Sequence, residues 1–316
     1  MKFYEVLDII NGRNQKQVEN PKGKYPIYGS GGVMGYADDY ICEANTVIIG
    51  RKGSINNPIF VDEPFWNVDT AFGLVAHNEV LLPKYLYYFC VHFNFEQLNT
   101  TVTIPSLTKA NLLQIEIAVP SIEKQSEIVA VLDQVSALID LRHKQINEID
   151  DLVKSRFIEM FGDPIKNSNG RSTTEFINVV KMQRGFDLPV QDRVQNGKIP
   201  VFGSNGALDR HNVAKVFGGG VITGRSGTIG KVYYTEGDYW PLNTSLFSVD
   251  THGNNIIYLA HLLQLFDLSR FTEGTGVPTL NRNKFHNQQI IDVPLAEQEE
   301  FAAFVEQVDK SKFYNQ

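Results

Sequence analysis

A duplication constrains this chain more than any other feature. Residues Lys24–Thr70 superimpose on Lys198–Thr244 at a constant shift of 174 positions. Pro26, Gly29, Ser30 and Gly32 recur as Pro200, Gly203, Ser204 and Gly206. Val47, Ile48, Gly50, Arg51, Gly53 and Ile55 recur as Val221, Ile222, Gly224, Arg225, Gly227 and Ile229, and Trp66 and Thr70 as Trp240 and Thr244. Twelve identities fall in 45 gapless positions from Pro26, where unrelated chains of average composition share about two or three. After a one-residue gap, Ile104-Pro105-Ser106-Leu107-Thr108-Lys109 matches Val277-Pro278-Thr279-Leu280-Asn281-Arg282, and Val119-Pro120 matches Val293-Pro294. A repeat of this period forces two copies of one fold in tandem.

Within each copy, short β-rich runs such as Thr46–Ile49 and Val221-Ile222 end in glycine turns. Ile115–Val119 alternates like a half-buried closing strand, whereas Tyr85–Phe89 and Tyr258–Leu263 have helical character. The expected fold class is α+β: two similar domains, mainly β with short helices, joined by long coiled-coil helices. Each domain is expected to hold a twisted sheet or partly open barrel.

The segment between the copies is different. Residues 121–161 contain neither proline nor glycine, and Leu132, Ile139, Ile146, Val153 and Met160 recur at every seventh position. Ile128, Val135 and Ile149 form a second line, broken by Arg142 and Arg156. That spacing predicts a coiled-coil seam. Pro120-Ser121 starts the helix and Gly162-Asp163-Pro164 stops it. At 1.5 Å per residue the rod is roughly 60 Å long, the length of a spacer. Phe301, Val305 and Val308 begin a shorter second helix. The expected boundaries are 1–120, 121–162, 163–294 and 295–316.

The net charge of −7 is confined to the helices. Residues 121–164 carry −4 and residues 295–316 carry −3, so the remainder is neutral and free to hold local basic patches. Cys42 and Cys90, the two cysteines, lie far apart without histidine partners at ligand spacing. They exclude a disulfide framework and a cysteine-based zinc site, read as buried thiols, and suit a reducing cytoplasm. Apolar runs are too short for a membrane span, and the acids near Met1 interrupt any signal-peptide core.

Catalytic constellations are missing. Gly29–Gly35 has the wrong spacing for a dinucleotide fingerprint. Gly219–Ser226 approaches a phosphate-binding loop but has arginine in the lysine position, and its repeat partner lacks the first glycine. The chain lacks an Asn-Pro-Pro-aromatic motif and His-x-x-x-His spacing, and His143 reads as a solvated side chain. An autonomous nuclease or methyltransferase would need such groups.

What both halves retain is glycine turns bearing basic and hydroxyl side chains. Gly50-Arg51-Lys52-Gly53-Ser54 and Gly224-Arg225-Ser226-Gly227-Thr228 follow strands. Arginine there offers a planar fork to phosphate or guanine, and Ser30, Gly31, Ser204 and Asn205 could add short donors. The same turns also occur as plain structural hairpins. Phe65-Trp66 and Tyr239-Trp240 read as core rather than stacking platforms.

The order of globular unit, Val119-Pro120-Ser121-Ile122-Glu123-Lys124-Gln125 helix, second unit and second helix resembles the specificity subunits of type I restriction-modification systems. The resemblance spans essentially the whole chain and rests also on the paired Pro-Ser/Thr-Leu and Gly-Arg-x-Gly motifs. It implies two target-recognition domains, each reading one half of a bipartite, asymmetric DNA site. It implies antiparallel helices that set the spacing and dock two methyltransferase subunits, with restriction-motor subunits joining for cleavage. No cofactor is expected here; S-adenosylmethionine, ATP and magnesium belong to the partners, which would methylate adenine, and the chain itself would be non-catalytic. The short second helix departs from the family pattern.

Residues identical in both halves cannot discriminate two different half-sites. Arg51 with Arg225 and Ser30 with Ser204 are therefore expected at phosphates or in scaffold, and Lys52, Ser54, Lys109, Ser226, Thr228 and Arg282 are expected among the DNA-binding residues. Discrimination is expected in dissimilar loops: Arg13, Asn14, Gln15 and Lys16 in the first unit, Arg184, Gln191 and Arg193 in the second. A competing reading is a two-headed scaffold binding peptide or sugar on a coiled-coil rod.

Overall fold

The computed structural model describes residues 1–99, 106–274 and 278–314. Ile104, Pro105 and Val277 of the repeated Pro-Ser/Thr-Leu motif lie outside them. The chain divides into two compact units, Met1–Arg142 and His143–Gln316.

The first unit contains α1 (Phe3–Val6), β1 (Leu7–Asn11), β2 (Tyr25–Gly29), β3 (Gly32–Ala37), β4 (Thr46–Gly50), β5 (Ile59–Val61), β6 (Trp66–Asn67), β7 (Ala71–Ala76), α2 (Pro83–His92), α3 (Lys109–Leu112) and the start of α4 (Ile122–Phe161). A four-stranded antiparallel sheet runs β1-β7-β4-β5, and a three-stranded sheet runs β3-β2-β6. Strand β4 is buried along its whole length, which is why it reads as a continuous apolar run rather than an alternating one. Its Val47 and Ile49 join Phe3, Leu74, Leu86 and Leu112 in the main core.

The second unit repeats this plan with β8 (Thr173–Glu175), α5 (Phe176–Val179), β9 (Lys181–Arg184), β10 (Ile199–Gly203), β11 (Gly206–His211), β12 (Gly220–Gly224), β13 (Val232–Thr235), β14 (Trp240–Pro241), β15 (Ser245–Asp250), α6 (Ile256–Phe266), β16 (Thr272–Glu273), β17 (Thr279–Leu280), α7 (Arg282–Phe285), β18 (Gln289–Ile291) and α8 (Leu295–Tyr314). Its sheets run β13-β12-β15-β9 and β11-β10-β14. The likeness extends to register. Ile27 pairs in parallel with Trp66, as Val201 does with Trp240. Both hairpins bulge at the same step, Ile27/Tyr28 and Val201/Phe202. Phe65, Trp66, Tyr239 and Trp240 are all buried, so these aromatics are core.

One expected strand is reduced. Ile115–Val119 makes a single bridge, Glu116 to Lys2, whereas the equivalent pairing in the second unit is the β18–β8 ladder.

Helix α4 is continuous between Pro120 and Gly162, whose φ of +82° ends it. Its last turns are core of the second unit: Val153, Phe157 and Phe161 are buried with Phe301, Ala302 and Val305 of α8. Phe157 and Phe161 meet Phe301 edge-on at 5.3 and 5.7 Å. Arg156 pairs with Glu300 at 3.3 Å, while Val305 and Asp309 share a cavity wall with Asp150, Asp151 and Val153. Contacts thus move backward along α4 as α8 advances, so the two run antiparallel. Met160 and Val308 pack partly buried against the same core. Leu132, Ile146 and Ile149 are half-buried, and Val135 and Ile139 are exposed.

Each long helix is fastened to its own unit by a buried glutamine. Gln125 Oε1 accepts from Leu82 N at 2.8 Å, and its Nε2 donates to Val80 O at 2.8 Å and Pro120 O at 2.9 Å. Gln298 Oε1 accepts from Asn255 N at 2.9 Å, and its Nε2 donates to Asn254 Oδ1 at 2.6 Å and Val293 O at 2.8 Å.

Candidate nucleic-acid interface

Four repeated motifs that are scattered in sequence converge in each unit. At their centre, β4 and β12 run into the Gly-Arg-x-Gly turns. The first glycine is required by close approach: a Cβ on Gly50 would lie 2.2 Å from Ser54 O, and on Gly224 1.7 Å from Thr228 O. The second is required by conformation, with φ of +80° at Gly53 and +86° at Gly227.

The neighbouring motifs clamp this turn. Arg51 N donates to Thr70 O at 2.7 Å and Arg225 N to Thr244 O at 2.8 Å. Leu107 N donates to Arg51 O at 2.9 Å and Leu280 N to Arg225 O at 2.7 Å, alongside the bridges Lys52–Ser106 and Ser226–Thr279. The hairpin tips close the cluster: the Cβ position of Gly50 is 3.0 Å from Ser30 Cβ, and that of Gly224 is 3.0 Å from Ser204 O. The repeated glycines, threonines and leucines therefore build one rigid platform, which holds Arg51, Lys52 and Ser54 exposed and Arg225, Ser226 and Thr228 half-exposed.

The two arginines are held differently. The Arg51 guanidinium lies 5.7 Å from the Phe72 ring centroid, whereas Arg225 Nε donates to Asn243 O at 3.1 Å. Gly31 and Asn205 are exposed at the hairpin tips, Ser30 and Ser204 partly so. Asn205 Oδ1 accepts from Lys231 Nζ at 3.5 Å.

Other expected site residues lie outside this cluster. Arg13, Asn14 and Lys16 are exposed on a loop pinned by Arg13 N to Asn67 O at 2.8 Å and by Trp66 Nε1 to Arg13 O at 3.0 Å. Asn14 Oδ1 accepts from Lys16 N at 3.0 Å. Arg184 and Gln191 are exposed. Arg193 is occupied in the fold: its guanidinium reaches Leu188 O at 3.2 Å and Asp209 at 3.4 Å, and its side chain is only 14% exposed. The equivalent first-unit positions, Glu19 and Gly35, cannot form that pair. Lys109 Nζ donates to Ile9 O at 2.6 Å, tying α3 to β1. Arg282 is partly exposed in α7.

Burial governs most of the titration behaviour. It pushes the Cys42 thiol up to about 12 and the Cys90 thiol higher still, so both are inert at neutral pH. His286 lies below the usual histidine range because of burial, with Arg282 and Lys181 adding to the effect. Asp133 of α4 accepts hydrogen bonds from the Lys84 and Tyr88 side chains of α2, which hold its carboxyl low. Among the described residues, no group of three or more His, Cys, Asp or Glu side chains is arranged to hold a metal ion. Among the described residues, no helix is long and apolar enough to cross a membrane.

Known proteins share this architecture. The chain is 23% identical to a chain described as a type I restriction enzyme specificity subunit of Haemophilus influenzae, over 96% of this chain and 86% of that one. A Mycoplasma pneumoniae chain described as a type I specificity subunit is 21% identical over 96% and 86%. Among solved structures, the fold matches the S subunit of a type I restriction-modification system from M. genitalium with a TM-score of 0.61 at 17% identity, covering 99% of this chain and 89% of that one. A chain from a study of assembly and conformational transition of the type I R-M system matches with a TM-score of 0.51 at 16% identity, covering 99% and 90%. The family model for the type I restriction modification DNA specificity domain matches residues 1–151 and 171–315. With both halves of the chain matched, this protein belongs to the type I restriction modification DNA specificity family.

Proposed function

We propose that each unit reads one half of a bipartite, asymmetric DNA site, and that the chain directs partner enzymes to that site without catalysing a reaction itself. The observation that carries this reading is the four-motif platform, present twice with the same register and the same Gly-Arg-x-Gly turn. A repeated rigid platform with exposed cations suits the repeated chemistry of phosphates. Arg51, Lys52 and Ser54, with Arg225, Ser226 and Thr228, are assigned to the DNA backbone. Exposed Arg13, Asn14, Lys16 and Arg184 are assigned to positions nearer the bases. Two methyltransferase subunits dock on the helices, through exposed apolar positions such as Val135 and Ile139, and restriction-motor subunits join them. S-adenosylmethionine, ATP and magnesium act in those partners, in the cytoplasm, and the methylated base is adenine.

Salt dependence separates this reading from a peptide- or sugar-binding scaffold. Duplex binding by the assembled complex should weaken steeply with salt as counterions are released. Arg51→Ala should weaken binding to all duplexes alike and reduce the slope of log K against log salt by about one. An unchanged slope would remove Arg51 from the phosphate set; binding without salt dependence would remove DNA as the ligand.

A further inference from the structure

The duplication makes each unit a control for the other. Where backbone and exposure coincide but side chains differ, the fold does not require the difference. The outer strand of the small sheet, β3 and its counterpart β11, carries several such differences.

Both strands leave tight tips whose Gly29, Ser30 and Gly32 recur as Gly203, Ser204 and Gly206. The shared bulge leaves Met34 and Leu208 without a cross-strand partner in register. Each of these side chains crosses a glycine on the facing strand, because a Cβ on Gly29 would meet Met34 Sδ at 2.6 Å and one on Gly203 would meet Leu208 Cδ2 at 2.4 Å. Bulge and glycine are thus common scaffold. Bulges re-aim side chains beside functional sites, and Met34 and Leu208 are 63% and 52% exposed. Val33 is also 55% exposed, although outer strands of soluble sheets are normally blunted with charge or covered.

Around this scaffold, exposed Gly31, Val33 and Tyr36 become exposed Asn205, Ala207 and Arg210. The tip abuts the Gly-Arg-x-Gly turn, while acidic Asp38 and Asp39 follow the strand at its other end. The tip is the end nearer the turn's cations in both units, and in the second unit Asn212 and Val213 replace the two acids. Among the described residues, the Asn205 and Arg210 side chains are held only by long contacts, 3.5 Å to Lys231 Nζ and 3.4 Å to Lys198 O.

We infer that the two hairpins enter the DNA major groove as ribbons, and that the pairs Gly31/Asn205, Val33/Ala207 and Tyr36/Arg210 make the two half-sites different. This rests on the DNA reading above. A two-stranded ribbon fits the major groove; apolar side chains suit thymine methyls, asparagine the edge of adenine, and arginine the edge of guanine.

The test is a transplant. Gly31→Asn, Val33→Ala and Tyr36→Arg are combined in the full chain, co-expressed with its methyltransferase partner, and methylated bases are mapped in the cell. The fold accommodates the change: a Cβ at Gly31 meets nothing within 4 Å, and all three positions are exposed. One half-site should change while the other is kept, with methylation of the original motif down about tenfold or more. The reciprocal set, Asn205→Gly, Ala207→Val and Arg210→Tyr, should change the opposite half. The original motif retained at full level by both variants overturns the inference. Joint loss of both halves from a soluble, assembled complex overturns it too, since that reports a shared structural role. A wild-type complex that sets no mark defeats the DNA reading itself, and the hairpins' role with it.

Discussion

The residues that recur between the two units serve mainly to build the platform, and those that do not recur are freed from that task. The glycines of the Gly-Arg-x-Gly turn were legible because their identity and spacing repeat, but the reason for each, close approach at Gly50 and left-handed backbone at Gly53, required the fold. Arg193 and Lys109 show what residue type does not reveal. A cation satisfied by a carbonyl or carboxylate looks the same in sequence as a free one, and Arg193, in a loop, is braced by Asp209 on β11. His286 illustrates the same blindness. Its Nε2 accepts from Met182 N at 3.2 Å in a buried setting, which needs the neutral ring. Its folded pKa lies below the ordinary value of 6.5, so the stability it contributes is present above that value. That stability is lost as pH falls from there through the folded pKa, because the unfolded chain takes up the proton first. His286→Phe should therefore flatten the acid-side loss between about pH 7 and about pH 5. It should also cost about 1–3 kcal/mol near neutrality by orphaning the Met182 N–H. Denaturant unfolding at the two pH values checks both, and an unaltered pH slope would exclude His286 as its source.

Among the elements, the long helices carry the clearest mixture of success and failure. The heptad line placed Val153 and Met160 against a core, yet it missed Phe157 and Phe161. The end of α4 follows the i, i+4, i+8 row of a helix packed into a globular unit rather than a two-helix seam. Val135 and Ile139, on the same lines, are 46% and 51% exposed. The glutamines at the helix starts were visible as part of a recurring motif, but nothing in a residue type that is usually solvated signals full burial. With three hydrogen bonds each, Gln125 and Gln298 couple helix to unit. Replacing either by leucine should destabilise its own unit by about 2–4 kcal/mol, since backbone groups are left buried and unpaired. Thermal unfolding of the single and double variants measures this. Losses below about 0.5 kcal/mol would show that water replaces the amide.

For the whole molecule, the repeat itself predicted two similar α+β units, and the paired sheets with equal strand order and equal bulges agree with that expectation. The reach of sequence reading ended where motifs meet in space: Ser30, Arg51 and Leu107 are separated in the chain but share one cluster, and their counterparts do so again. Net acidity was no obstacle, because it belongs to the helical segments. The central claim, that this chain sets the DNA site at which its partners act, is tested most directly by mapping methylated adenines across the genome of host cells with and without the gene. Disappearance of one split, asymmetric motif on deletion, and its return on complementation, is the predicted result. An unchanged set of marks, with the partner methyltransferase present and active, would contradict it.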